Sequence, residues 1–281
     1  MAQQNKMTTA AAVSHLRNSA RYHDLIRDSY LDQDVQAAAE RFFDSAEFHE
    51  VRLLLGRRIT GLDVLDLGAG TGIASYAFAR SGAQSVYSLE PDDSEIGRGA
   101  INQLVNGMSI ELLAAFGEAI PLPDQSVDIV YGRQVLHHTR DLRQVMHECA
   151  RVLKPGGRVL MCREHVVDDE QQLNQFLNEH PIHQLAGGEH AYSLETYTEA
   201  ITAAGLQLMK VLGPWDSIIN AFPAARNNEE LSRVPDRVLA ERFSHLARLI
   251  RFIPGIHALV WRRIRGYRTP GRLYSFLAGK L

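Results

Sequence analysis

Apolar positions in the first 60 residues fall at helical spacing. Residues 36–43 are mostly good helix formers, and Phe42, Phe43, Phe48, Val51 and Leu54 line one stripe, with Gly56 as a stop. The period then shortens. Residues 64–67 read as a strand that ends in Gly68, Ala69, Gly70, Thr71 and Gly72, followed by a small-residue helix over 73–80 that stops at Gly82. Further strands are predicted at 86–90, 109–113, 127–131, 158–162 and 206–212, and a last one at 272–278. Helices are predicted at 94–105, at 141–152 (closed by Lys154-Pro155-Gly156-Gly157) and from a Ser193 cap to Ala204, with Gly205 as stop. Strands alternating with helices at this spacing specify an α/β fold, a mostly parallel sheet with helices on both faces. The chain divides into an N-terminal helical segment (1–60), a sheet domain (61–212), a helical insertion (213–270) and a final strand (271–281).

Charge changes this picture in one place. Net charge is −3 over 281 residues, so no nucleic-acid partner is expected. Between residues 233 and 272, however, ten arginines face only Asp236 and Glu241, a local +8. In a helix Leu246, Leu249, Ile250 and Ile253 share a face, with Arg248 and Arg251 pointing elsewhere. Three readings stay open for the insertion: a cap packed on the sheet domain, a peripheral contact with anionic membrane through residues 233–272, or a pocket for an acidic substrate. Position favours a cap that contributes to an acceptor site, because material inserted before the last strand emerges at one end of the sheet. The two cysteines, Cys149 and Cys162, suit a reducing compartment. The N-terminal residues show no apolar signal-peptide core, and the longest apolar run is too short to span a membrane. The expected location is cytoplasmic, with a peripheral inner-membrane association as its variant.

Chemistry concentrates at the strand ends. Gly68, Gly70 and Gly72 form G-x-G-x-G between a strand and a helix, where a ligand can approach the main chain and meet a helix N-terminus. A dinucleotide loop would place glycine at position 73, which is Ile73. A loop of this kind also serves as a plain tight turn. Glu90 ends the second strand, about 20 residues on, where an acid accepts hydrogen bonds from ribose hydroxyls. There is no G-x-S-x-G elbow and no G-x-x-x-x-G-K-[ST] phosphate loop.

Five segments together resemble a known family. They are Leu65-Asp66-Leu67-Gly68-Ala69-Gly70-Thr71-Gly72, Glu90, Pro121-Leu122-Pro123-Asp124-Gln125-Ser126-Val127-Asp128, Val135-Leu136-His137-His138 and Leu153-Lys154-Pro155-Gly156-Gly157. In order and spacing they are similar to the motifs of class I S-adenosylmethionine-dependent methyltransferases, most of all the quinone-biosynthesis and small-molecule subgroup. The resemblance covers roughly residues 60–165. It implies a Rossmann-like seven-stranded sheet of order 3-2-1-4-5-7-6 with the last strand antiparallel, and S-adenosyl-L-methionine as cofactor. By the same resemblance Gly68, Ala69, Gly70, Thr71 and Gly72 hold the methionine part, Asp66 orients that loop and the amino group, and Glu90 takes the ribose diol. The chain departs from the family pattern after the third strand. Phe116 stands where an acid is usual, with Gly117 and Glu118 following, so Phe116 lies against the adenine or Glu118 faces the surface. Arg133 is either a partner of the cofactor carboxylate or a strand-end surface arginine.

The activity so implied is methyl transfer to a small-molecule acceptor, an oxygen acceptor favoured, by in-line displacement. The alternative is a non-catalytic S-adenosylmethionine-binding protein that kept the fold. Positioning and exclusion of water supply much of such a catalysis, no metal is obligatory, and a base is needed only for a protonated acceptor. The candidate bases are His165, after the fifth strand, and His138; His137 is read as structural. His180, His183 and His190 lie in a polar, glycine-containing stretch, predicted as a loop, whose spacing fits no standard metal site.

Overall fold

Alternation along each strand sorts the side chains of the sheet into two layers. Val64, Val86, Ile129, Tyr131, Leu160 and Leu277 enter one core. Leu65, Leu67, Leu89, Val130, Val159 and Phe276 enter the other. Residues 6–56, 58–244 and 251–281 are described by the computed structural model. The strands are β1 (Asp63–Leu67), β2 (Ser85–Leu89), β3 (Ile110–Leu113), β4 (Val127–Arg133), β5 (Leu153–Val166), β6 (Gln207–Leu212) and β7 (Arg272–Gly279). Their order is β3-β2-β1-β4-β5-β7-β6, with β7 antiparallel to both neighbours and the other pairs parallel. This is the sheet that the family resemblance implies.

Helices α1 (Thr9–Arg17), α2 (His23–Asp28), α3 (Val35–Phe43) and α4 (Ala46–Leu55) precede the sheet. Asp34 and Ser45 cap α3 and α4 with side-chain oxygens, and Gly56 closes α4 in the left-handed region. The aromatic stripe is the packing seam: Phe42 meets Phe48, Phe48 meets Phe78 edge-on, and Phe78 meets Tyr131 of β4. On this face α3 and α4 join α5 (Ile73–Arg80). Helix α6 (Arg98–Leu104) packs on the same face through Ala100 and Leu104. The opposite face carries α7 (Leu142–Val152) and α10 (Leu194–Ala203), and α8 (Glu170–Glu179) and α9 (Pro181–Leu185) lie in a connection.

Three boundaries differ from the sequence expectation. The segment Lys154 to Gly157 does not close a helix; it lies in the long strand β5. Lys154 Nζ reaches Asp63 at 2.8 Å and Asp128 at 2.9 Å, which ties the chain to the starts of β1 and β4. Helix α6 begins at Arg98 rather than at 94, because Asp92 accepts from the Ser94 N–H and hydroxyl and holds the intervening residues in a turn. The polar stretch after Glu179 is partly helical: His180 caps α9, and Pro181 occupies its first position.

The insertion is helical, with α11 (Ile218–Ala221), α12 (Asn228–Ser232), α13 (Val234–Phe243) and α14 (Ile256–Arg265). It builds a small core of its own from Val234, Leu239, Val260 and Ile264, with Trp215. Its root docks below the strand ends, where the buried Arg163 guanidinium donates to the carbonyls of Ile219 and Phe222. Of the stripe expected at 246–253, Leu246, Leu249 and Ile250, with Arg248, fall outside the described residues.

One ion pair ties the N-terminal helices to the sheet. Arg133, at the end of β4, meets Glu47 of α4 with Nε–Oε1 at 2.7 Å, and both side chains are withdrawn from water. The Arg133 guanidinium also lies 5.4 Å from the Tyr30 ring. Removing one partner leaves a buried charge unpaired, a loss of about 3–5 kcal/mol. Glu47→Ala is expected to lower urea-unfolding stability by that order, and a change below about 1 kcal/mol would show that solvent already screens the pair.

Candidate active site

The carboxyl ends of β1, β2, β4 and β5 open onto a cavity of about 750 Å³, a volume suited to a small-molecule ligand. Its floor is the turn after β1. Gly68, Gly70 and Gly72 all have positive φ (63°, 53° and 81°), which a side chain would strain. A Cβ on Gly68 would lie 2.3 Å from Val135 Cγ2, whereas one on Gly70 would meet nothing within 4 Å. The turn is thus pressed against its neighbour on one side and open toward the cavity on the other. Gly72 caps α5 with no side-chain hydrogen bond, so the first N–H groups of α5 carry their partial positive charge beside the cavity.

Two buried acids flank this turn. Glu90 receives the Gly70 N–H on Oε2 (2.7 Å) and the Asp92 N–H on Oε1 (2.8 Å). Each oxygen keeps a second lone pair, so the carboxylate can still accept two hydroxyls. Asp66 accepts from Ser75 Oγ at 2.6 Å, and Ser75 in turn from Ser88 Oγ at 2.6 Å. Burial raises the Asp66 carboxyl to about 7. Gly117 is confined by Leu67 and Val145, which a Cβ would approach to 3.1 and 3.3 Å. The Phe116 ring is 51% exposed and stacks under the Arg140 guanidinium at 4.7 Å.

Two of the charged candidates, both in the cavity lining, have partners within the protein. The bidentate partner of Arg133 is Glu47 of the protein itself, because the turn of α4 brings a buried carboxylate against the end of β4. Glu118 lines the cavity, but its Oε1 accepts from the N–H groups of Arg140 (2.8 Å) and Asp141 (3.2 Å), so that oxygen is committed to the turn before α7.

The far wall is built from histidines and two glutamates. Glu164 is buried and accepts from the N–H groups of Val135 (3.0 Å), Leu136 (3.1 Å) and His137 (3.2 Å) and from His137 Nδ1 (2.8 Å). Burial would raise its carboxyl, yet the His137 contact and these donors hold it below the usual carboxylate range. Burial would lower His137, but Glu164 and Glu189 raise it to about 9. His138 is 46% exposed at its side chain, and burial of the ring beside cationic His137 lowers its pKa. His165 donates from Nδ1 to the Gly271 carbonyl at 2.9 Å. Burial, with His137 adjacent, depresses it to about 3. His165 is therefore neutral but a poor base; its free Nε2 can accept a hydrogen bond rather than hold a proton at neutral pH. His180 joins the wall, whereas His183 and His190 are absent from the cavity lining.

Glu47, Glu164 and Glu189 were missed by sequence reasoning. Glu189 had a signal, since it follows Gly187 and Gly188 in the polar stretch already noted. The roof was also missed. It comes from the first two helices and the start of α9, including Thr9, Val13, Leu16, Ile26 and Ile182. Among the described residues, nothing from 213–270 lines the cavity, and residues 245–250 of the insertion lie outside the described residues. The root of the insertion is held instead by the buried Arg163, on the side of α4.

Residues 65–161 match the methyltransferase domain family. The chain is 30% identical over 184 residues to a ubiquinone biosynthesis O-methyltransferase of Rhizobium etli, covering 64% of this chain and 71% of that protein. The chain belongs to the class I S-adenosylmethionine-dependent methyltransferases. A second relative of the same name, from Rhizobium johnstonii, is 30% identical over 156 residues, a match that spans 54% of this chain and 62% of that one. The fold is shared with an S-adenosylmethionine-dependent methyltransferase from Mesorhizobium loti, at a TM-score of 0.57 and 17% identity over 84% of this chain and 99% of that one.

As a methyltransferase of this class the chain uses S-adenosylmethionine, and the floor of the cavity fits it. An open Gly70, an uncapped helix start and a two-acceptor carboxylate at Glu90 suit a ligand with a diol and a close main-chain contact. A hydrogen bond to a buried charge is worth about 1.5–3 kcal/mol. Glu90→Ala should therefore weaken S-adenosylhomocysteine binding about 10- to 100-fold by calorimetry. An unchanged affinity would remove Glu90 from the cofactor site.

Proposed function

We propose that this chain methylates a hydroxyl group of a small, ring-bearing acceptor. The observation that carries the reading is the position of the histidine wall. It faces the glycine turn across one cavity, and it ends in His138, a neutral and accessible imidazole. The name of the Rhizobium relatives, O-methyltransferases of ubiquinone biosynthesis, supports an oxygen acceptor and a quinone precursor as its class.

S-adenosylmethionine bound on the floor supplies a methyl group activated by positively charged sulfur. The residues of the chain do the rest. Glu90 and the turn from Gly68 to Gly72 fix the ligand against β1. The roof of Val13, Leu16 and Ile26 presents apolar side chains to the cavity, which favours an aromatic acceptor and keeps water from the transfer. His165 Nε2 orients the acceptor hydroxyl, and its proton leaves toward the neutral His138.

The test is S-adenosylhomocysteine release with a panel of catechol, phenol, amine and carbon-acid acceptors. Turnover with catechols or phenols is expected, falling about 10²- to 10⁴-fold in His138→Ala, the usual range for a lost proton acceptor. Turnover confined to amines or carbon acids would sink the reading.

We further infer a peripheral contact with anionic membrane through the insertion. Phe252 (73% exposed), Ile253 and Leu259 stand beside Arg251, Arg262 and Arg263. No helix among the described residues is long and apolar enough to cross a membrane. Apolar side chains within an arginine patch suit a surface of anionic headgroups. Co-sedimentation with phosphatidylglycerol vesicles should weaken steeply between about 0.1 and 1 M salt, as the screening length falls from about 10 to 3 Å, and in a triple alanine variant of those arginines. Equal binding to neutral vesicles would contradict it.

A further inference from the structure

Glu189 sits in the acceptor wall with its side chain almost wholly withdrawn from water. Three imidazole nitrogens converge on it. His137 Nε2 and His138 Nε2 lie 3.6 and 3.7 Å from Oε2, and His180 Nδ1 lies 3.8 Å from Oε1. These separations exceed the about 2.7–3.2 Å of a hydrogen bond. Without an ion they are charge contacts of Glu189 with the imidazoles, and an ion binding there displaces the proton of His137 Nε2. A buried carboxylate surrounded at this spacing has the outline of a ligand set. An ion bound at about 2.0–2.1 Å to two ligands, at tetrahedral to trigonal angles, holds them about 3.3–3.6 Å apart. The ligand atoms of His137, His138 and Glu189 all lie within 4.8 Å of one another.

A second observation points the same way. His137 Nδ1 is engaged by the buried Glu164 at 2.8 Å, which turns Nε2 toward Glu189. Glu164 itself is fixed by three backbone N–H donors, so the ring cannot swing away. A histidine oriented through its other nitrogen by a carboxylate is the arrangement that surrounds bound transition metals. Glu189 follows Gly187 and Gly188, both at positive φ, so the short approach of its carboxylate is set by backbone that only glycine adopts readily.

We propose that His137 Nε2, His138 Nε2 and Glu189 form a site for a divalent transition ion in the acceptor wall, with His180 as an adjoining fourth group. Two imidazoles and one carboxylate suit Zn²⁺, Co²⁺ or Fe²⁺ in preference to Mg²⁺, which takes oxygen ligands. The role of such an ion rests on the hydroxyl-methylation reading, with His138 Nε2 then a ligand and the ion, in place of that imidazole, activating the acceptor. Open to the cavity, it ligates the acceptor oxygen and lowers the pKa of that hydroxyl, whose proton passes to solvent; the oxygen then forms its bond to the methyl carbon as the carbon–sulfur bond breaks.

The binding test needs neither cofactor nor acceptor. The full chain, freed of metal by chelation, is titrated with Zn²⁺ by calorimetry and with Co²⁺ by visible absorption. One ion per chain is expected, with a d–d band of low-coordinate Co²⁺. Affinity should fall at least 10-fold in Glu189→Gln and in His138→Ala, while Mg²⁺ at millimolar concentration fails to compete. His138 is partly exposed and Glu164 still pairs His137 in both variants, so both fold, as far-ultraviolet circular dichroism will check. No Zn²⁺ binding, or binding equal in wild type and both variants, overturns the site. Zn²⁺ binding with acceptor turnover confined to amines leaves the site standing and removes the methylation reading; turnover of phenols without Zn²⁺ binding does the reverse.

Discussion

The carboxylate of Glu164 is the constraint on which the site depends. A buried charge must be compensated, and here four donors converge on it: three consecutive backbone N–H groups and one imidazole. Those N–H groups belong to the turn after β4, so Glu164 fixes the path of Val135 to His137. Val135 then packs so closely on Gly68 and Gly132 that neither position admits a side chain. One carboxylate on β5 thereby sets the height of the glycine turn on β1 and the direction of the histidine wall. Glu164 is brought to this place by an irregularity. The register of β5 against β7 shifts between Met161 and Glu164, and Arg163 takes φ of 62° there. A bulge re-aims the residues beyond it, here toward the cavity.

A division of labour follows. The floor offers a ligand mainly main chain, a dipole and one carboxylate, which are properties of a turn between a buried strand and a helix. The wall relies on side chains drawn from four places: the turn after β4, the end of β5, α9 and the Gly187–Gly188 segment. Main-chain recognition demands glycine at fixed spacing and a short apolar strand before it, and so it leaves a compact mark in the sequence. Recognition by side chains from separate segments leaves none.

This explains what the sequence disclosed. The strands, their order by resemblance, the Ile73–Arg80 helix and the turn with Glu90 were legible, because period-two apolar runs and positive-φ glycines have few other uses. Elements whose ends are set by distant side chains were not. Lys154 extends β5 backward through two aspartates from other strands, and Asp92 delays α6; neither effect has a local pattern. Arg133 and Glu118 were legible as charged residues near the cavity but not in their partners. Glu47 lies 86 positions before Arg133, and the two Glu118 contacts cross to the turn before α7.

The described part of the insertion is placed by a buried charge as much as by its position in the chain. Chain that leaves a sheet between its last two strands emerges near the cleft, and a cap over the ligand is the natural expectation. Burial fixes where its root sits. Arg163 is withdrawn from water and needs acceptors; the carbonyls of Ile219 and Phe222 supply them, and Ser275 and Asn220 close the contact with a further hydrogen bond of 2.7 Å. Once the root is held there, the other described helices of the insertion stack on Trp215 and their own apolar residues. The roof is then left to the N-terminal helices, whose Val13, Leu16 and Ile26 pack on Ile96 and Ile182 rather than on the main core. A roof joined to the body through a small separate cluster opens at lower cost than one continuous with the core, since local opening scales with the apolar contacts broken. A cavity that must admit one ligand and release another is served by that arrangement.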